Sequence, residues 1–153
     1  MSTEFPLLSA ADVLLDLKVA SRSGLFAEAA QLIERRHGLP HGLVAEKLGA
    51  RELLGSTALG HGIAIPHARL PEAERPLAVF VRTQFPISFD APDSKPVSDF
   101  LFLVVPNAAP ELHLVLLSRL AGKFNDRDFR ERLRAAADPA TIATLLSLLK
   151  GGE

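Results

Sequence analysis

The run Phe100-Leu101-Phe102-Leu103-Val104-Val105-Pro106 decides how the chain folds. Six consecutive apolar residues predict a strand covered on both faces, and Pro106, with no N–H to give, stops it. Upstream, Ala91 to Pro96 holds two prolines, Asp93 and Ser94 and reads as a turn. Before it, Leu77 to Gln84 is apolar on both faces as far as Arg82, which places a second strand inside a sheet. Phe85, Ile87 and Phe89 then alternate with Pro86, Ser88 and Asp90, the pattern of a half-exposed edge where a proline is tolerated. Downstream of Pro106 the chain reads as helical. Pro110 to Phe124 stacks Leu117, Leu120 and Phe124 on one side. Asn125 caps a short helix to about Ala137, buried through Phe129 and Leu133. Asp138-Pro139 opens a last one with the stripe Ile142, Leu145, Leu146 and Leu149.

The N-terminal half supplies the other layer. Val13 to Ala20 alternates partly and reads as a first strand. Ser23 caps a helix in which Phe26, Ala29, Ala30 and Ile33 recur at helical spacing, and His37-Gly38 ends it. Pro40 opens a second helical segment through about Leu54, carried by Leu43, Val44, Lys47 and Leu48, after which Arg51 to Thr57 runs into a polar turn. Leu70 to Pro76 is a surface connection. Helices before and after a central group of strands predict an α/β domain, a mixed sheet covered on both faces. One domain spans residues 1–153, with loose ends at Met1 to Pro6 and Gly151 to Glu153.

Composition narrows the function. The 153 residues are 48% hydrophobic and 23% charged with a net charge of −1, which gives no electrostatic reason to expect nucleic acid or an anionic membrane as partner. No cysteine is present, so disulfides and thiolate chemistry are excluded. Met1 to Leu15 lacks the basic start and long apolar run of a signal peptide, and no stretch reaches the ~20 apolar residues of a membrane helix. A cytoplasmic protein is the expectation. Neither a Walker loop, nor a Rossmann glycine pattern, nor a Gly-x-Ser-x-Gly elbow occurs.

Chemistry concentrates in Gly60-His61-Gly62-Ile63-Ala64-Ile65-Pro66-His67-Ala68-Arg69. Ile63 to Ile65 reads as a short strand, and Pro66 stiffens its end, so that His67 is presented from a fixed place. On residue type alone His67 reads equally well as a solvated loop histidine. The glycines allow close backbone approach, and Arg69 falls on the same side as His67 if the chain stays extended. A neutral imidazole nitrogen is a nucleophile toward phosphoryl groups, and that chemistry needs little beyond positioning and cationic or N–H donors. Arg51, Arg69, His61 and His113 are the candidate donors. Each also has a plain reading: His113 as a core or boundary histidine, Arg51 and His37 as cations at helix C-termini, His41 as surface, and the Arg127 to Arg134 charges as a solvated helix face. A metal site at His61 and His67 is not favoured, because a spacing of six is no ligand pattern and Glu52 and Glu72 lie in segments that read as surface. No cofactor is expected.

Gly-x-Gly-Ile-Ala-Ile-Pro-His at Gly60 to His67 resembles the phosphorylation-site signature of the fructose/mannitol-type enzyme IIA domains of the bacterial phosphoenolpyruvate-dependent phosphotransferase system (PTS). Arg51-Glu52-x-x-Gly55-Ser56-Thr57 resembles the family's segment upstream of the site. Pro86-Ile87-x-Phe89-Asp90, Pro96-Val97 and Phe102 to Pro106 resemble its central hairpin, and His113-Leu114 matches its second active-centre histidine. The resemblance implies a three-layer α/β/α sandwich, phosphate carried on His67, and Arg51 and His113 as its partners. Arg69, Ser56, Thr57 and Gly62 would support the phosphate, and His61 drops to a secondary role.

As a free-standing domain the chain is most similar to the nitrogen-type regulatory enzyme IIA, which implies a phosphotransferase component charged by an HPr-like phosphocarrier (NPr), itself served by enzyme I. Its phosphorylation state would then alter binding to regulatory targets such as potassium-transport proteins or sensor kinases. Two other readings stay open: a sugar-specific enzyme IIA that passes phosphate to an enzyme IIB, and a phosphate-independent binding module.

Overall fold

The computed structural model describes residues 8–107 and 110–147. Leu149 and the two expected loose ends therefore lie outside the described residues. The elements run β1 (Val13–Leu17), α1 (Arg22–His37), α2 (His41–Leu53), β2 (Ala58–Gly60), β3 (Ile63–Ala64), β4 (His67–Leu70), β5 (Leu77–Ile87), β6 (Val97–Pro106), α3 (Pro110–Phe124), α4 (Arg127–Ala135) and α5 (Pro139–Ser147), with one 3-10 turn at Ala10–Asp12 ahead of β1. The strands form a mixed sheet ordered β1-β5-β6-β3-β2, and β4 also pairs with β6.

The apolar run identified in the sequence is the central strand. β6 pairs antiparallel with β5 and parallel with both β3 and β4, and its side chains alternate between two cores. Phe100, Phe102 and Val104 pack with Leu25, Ala29 and Ile33 of α1 and Val44 and Leu48 of α2. Leu101, Leu103 and Val105 pack with Leu116, Leu120 and Phe124 of α3, Phe129 and Leu133 of α4, and Ile142 and Leu146 of α5. Period two in one strand thus holds the three α/β/α layers together.

Three local expectations are corrected. Ser21, not Ser23, is the N-cap of α1: it keeps extended geometry and its hydroxyl accepts from the Gly24 N–H at 3.1 Å, while Ser23 is already inside the first turn. Asp126, not Asn125, caps α4, because the Asn125 N–H is used on Ala121 O to finish α3, leaving Asp126 the first extended residue. Glu52 does not belong to a surface segment: it is buried and accepts from both the N–H and the hydroxyl of Thr57, each at 2.8 Å. β5 lies between β1 and β6 as far as Thr83 and pairs only with β6 beyond it, so the half-exposed edge expected at residues 85–90 is present. Pro86 is tolerated there because β1 pairing ends at Leu17–Thr83; Pro86, Ser88 and Asp90 face solvent, Ile87 and Phe89 are buried, and Phe85 alone of the three apolar residues is exposed.

Two ion clusters tie the layers together. Arg82 grips Asp99 with two N–H groups (2.7 and 3.1 Å) and caps the end of α4 by donating to Ala136 O and Leu133 O. Asp12 accepts from the Ser9 N–H and Arg36 Nε, each at 2.9 Å, and meets His37 Nε2 at 3.1 Å, which joins the 3-10 turn to the C-terminus of α1. The favourable placement of His37 at a helix end is therefore reinforced by a specific carboxylate.

Candidate functional site

Residues 63 to 70 form one edge of β6, broken in the middle. Ile63 and Ala64 pair with Asp99 and Phe100, and His67 to Leu70 pair with Leu103 to Pro106. The break falls at Ile65-Pro66, where the missing proline N–H cannot join a ladder; Pro66 O still accepts from the Leu103 N–H at 3.0 Å. His67 therefore opens a strand paired with β6 instead of leaving one. It is buried, with 7% of its surface exposed, which rules out the solvated-loop reading. Ala68 and Leu70 enter the core under α1 and α2, so alternation turns His67 and Arg69 toward α3. There the His113 ring stands perpendicular to that of His67 with centroids 5.1 Å apart.

The Ile65-Pro66 break also sets the tautomer of His67. Its Nδ1 lies 2.7 Å from Ile65 O. A carbonyl only accepts, so Nδ1 carries the proton and Nε2 keeps its lone pair. Burial pushes the imidazole pKa from 6.5 down to about 4, against the Ile65 hydrogen bond, and the positive fields of Arg51 and His113 push the same way. At neutral pH the ring is uncharged and nucleophilic at Nε2. His113 is shifted downward too, by burial first and then by Arg69 and Arg51. Its Nε2 is buried with no hydrogen-bond partner, and such an atom is costly unless a ligand satisfies it.

Arg51 reaches the site from the last turn of α2, its Nη1 donating to Gly55 O at 2.9 Å. Arg51, Arg69, Lys47, Asn107 and the two histidines line an open pocket of about 800 Å³, and among the described residues no carboxylate lines it. Three cations without a counter-charge around a neutral imidazole and an orphaned second one suit an anion. Lys47 and Asn107 escaped sequence reading. Lys47 is recoverable as one helical turn before Arg51 on the same face of α2, whereas nothing local marks Asn107.

The remaining candidates are not in this pocket. Ser56 donates its hydroxyl to Phe89 O and accepts from the Ala58 N–H, and Thr57 is occupied with Glu52, so both build the turn that aims Arg51. Gly62 and His61 form the left-handed tip of the β2–β3 hairpin (φ +77° and +59°) and border a different recess, so His61 is not a donor at the His67 site. A two-residue hairpin loop of this kind requires positive φ at both positions.

Fold and pocket together define an α/β/α domain that sets a neutral histidine among cations. The family description "Phosphoenolpyruvate-dependent sugar phosphotransferase system, EIIA 2" matches residues 6–148, and the chain belongs to that family of phosphotransfer components. It is 38% identical to a nitrogen regulatory protein of Bradyrhizobium diazoefficiens over 136 residues, 89% of each chain. It is 36% identical to one of Pseudomonas aeruginosa over 143 residues, 92% of each. The crystal structure of nitrogen regulatory protein IIA-Ntr from Neisseria meningitidis superposes with a TM-score of 0.85 at 44% identity, covering 92% of this chain and 96% of that one. Among the described residues no helix is long and apolar enough to cross a membrane.

Proposed function

We propose that the chain is a nitrogen-type regulatory enzyme IIA whose His67 Nε2 accepts a phosphoryl group from an HPr-like phosphocarrier. The carrying observation is the hydrogen bond from His67 Nδ1 to Ile65 O, which leaves Nε2 as the nitrogen of that ring with a free lone pair, in a cationic pocket lined by no carboxylate among the described residues. In the transfer, that lone pair forms the new P–N bond while the P–N bond to the carrier's histidine breaks, its electron pair staying on the carrier's ring. His67 Nε2 already holds its lone pair, so no general base is needed there, and a carrier ring protonated on its other nitrogen leaves as a neutral imidazole. The Ile65 carbonyl stabilises the positive character the His67 ring gains. Arg51 and Arg69 neutralise the phosphoryl oxygens, and His113 Nε2, when it bears the ring proton, donates to one of them.

The pocket's rim suits a protein donor. Leu54 and Leu114 line it and are 85% and 69% exposed, and Leu53 beside them is 89% exposed. Exposed apolar side chains at the rim of a cationic pocket suit a docking surface. Phosphorylation places about two negative charges beneath that patch, so partners that dock there sense the state of His67. The regulatory reading is supported by the names of the similar proteins, which are nitrogen regulatory proteins; cytoplasmic location and targets of the potassium-transport or sensor-kinase kind are what that reading entails.

Incubation with phosphoenolpyruvate, enzyme I and an NPr-type carrier should add one acid-labile phosphate, lost in His67→Ala. A His67→Ala protein that still gains it sinks the assignment. A wild type that never gains it supports a pure binding module, and onward transfer to an enzyme IIB would place the chain in the sugar branch.

A further inference from the structure

Away from His67, a second recess of about 550 Å³ opens between the β2–β3 hairpin tip, the turn before β6 and α4. The charges of α4 read from sequence as a solvated face, yet two of its arginines turn back toward the body of the protein. Arg130 Nη1 donates to Phe124 O at 3.1 Å, and Arg134 Nη2 donates to His61 O at 3.3 Å. Each fork is held by a main-chain carbonyl, which fixes its position and leaves its charge uncompensated. Neither arginine pairs with a carboxylate among the described residues. Lys95 adds a third cation, and Arg127 is paired with Glu131 at 3.0 Å. Asp93 is committed to the main-chain N–H groups of His61 and Lys95, at 2.9 and 3.1 Å.

Four cations against two carboxylates leave an excess of two positive charges. A carboxylate ligand would compensate one of them; a phosphate monoester, with about −1.5 to −2 at neutral pH, compensates both. His61 also borders an adjoining recess of about 380 Å³ walled largely by Leu59, Ala121, Gly122 and Phe124. The two together have the volume of a small-molecule site, and a concave pair of recesses fits a small ligand better than the roughly 800 Å² a protein partner would cover.

We propose that this double recess binds a phosphate monoester with a partly apolar organic body. The phosphate sits on Arg130, Arg134 and Lys95, and the body lies against Leu59 and Phe124. Amide NMR titration of the whole chain with inorganic phosphate, adenosine 5′-monophosphate and adenosine tests it. The monophosphate should shift His61, Gly62 and Arg130 and bind at least about tenfold tighter than either phosphate or adenosine, as expected when one charged contact and one apolar contact are each lost. Arg130→Gln with Arg134→Gln should remove those shifts. Lys95→Gln, whose side chain makes no hydrogen bond among the described residues and so leaves the fold alone, should weaken binding about threefold to tenfold. Arg51→Gln should leave the His61 shifts intact, which separates this site from the His67 pocket. Shifts confined to His67, binding that survives in the double and Lys95 variants, or a monophosphate no tighter than phosphate or adenosine would each overturn the proposal.

Discussion

Replacing His67 by glutamine should reverse the order of stability between wild type and variant as the solution is acidified. In the native protein the ring resists protonation down to about pH 4, because burial and the nearby Arg51 and His113 disfavour the cation. In the unfolded chain it titrates near its ordinary value. Between these values the unfolded state binds a proton that the native state refuses, so stability falls as pH drops from about 6.5 toward 4. At about pH 4.5 the accumulated penalty is roughly 2–3 kcal/mol, against nearly nothing at pH 7. Glutamine carries no such penalty but loses the hydrogen bond to Ile65, worth about 1 kcal/mol. The variant should therefore be about 1 kcal/mol less stable at pH 7 and about 1–2 kcal/mol more stable at pH 4.5. His113 titrates in both proteins and largely cancels. Urea unfolding at the two pH values measures the difference directly. A wild type–variant gap that is the same at both would refute the neutral, buried nucleophile.

Arg82→Ala should cost about 3 kcal/mol in urea unfolding, because it strands the Asp99 carboxylate and uncaps α4; a loss under about 1 kcal/mol would show the pair to be dispensable. Burial works to raise the Asp12 pKa, but the Ser9 N–H, Arg36 and His37 more than offset it and hold it below the usual value. Its stabilisation is thus present above about pH 4 and lost as pH falls through the lowered value, so Asp12→Asn should flatten the acid limb of the stability profile; an unchanged limb counts against the cluster. Arg51→Gln should slow phosphoryl acceptance about a hundredfold with little change in melting temperature, and a rate within twofold of wild type would remove Arg51 from the site. Thr57→Val should cost about 1–2 kcal/mol by leaving one Glu52 oxygen buried without its donor, which thermal unfolding would detect.

Period and punctuation carry most of the fold. The both-faces apolar run of β6, the helical stripes of α1 and α3 and the prolines at 40, 106 and 139 act over a few residues, and a linear sequence displays such effects openly. The helix caps Ser21 and Asp126 lie two residues and one residue from the positions the sequence suggests, since neighbouring polar groups compete for the same orphan N–H groups. The site divides along the same line. His67, preceded by proline and set among glycines, is legible from its neighbours, and the family motif adds Arg51 and His113.

What no local pattern contains is the burial of His67, the Nδ1–Ile65 bond that follows from the break at Pro66, and the convergence of the α2 cations, Arg69 of β4 and His113 of α3 with no carboxylate among the described residues. Ser56, Thr57 and Gly62 match the motif as closely as Arg51 does, yet only packing reveals that their polar groups serve the turn and the hairpin. Short-range sterics and periodicity determined the layers; desolvation and convergence of groups far apart in the chain, which exist only once the sheet is closed by helices, decided which histidine is neutral and what surrounds it.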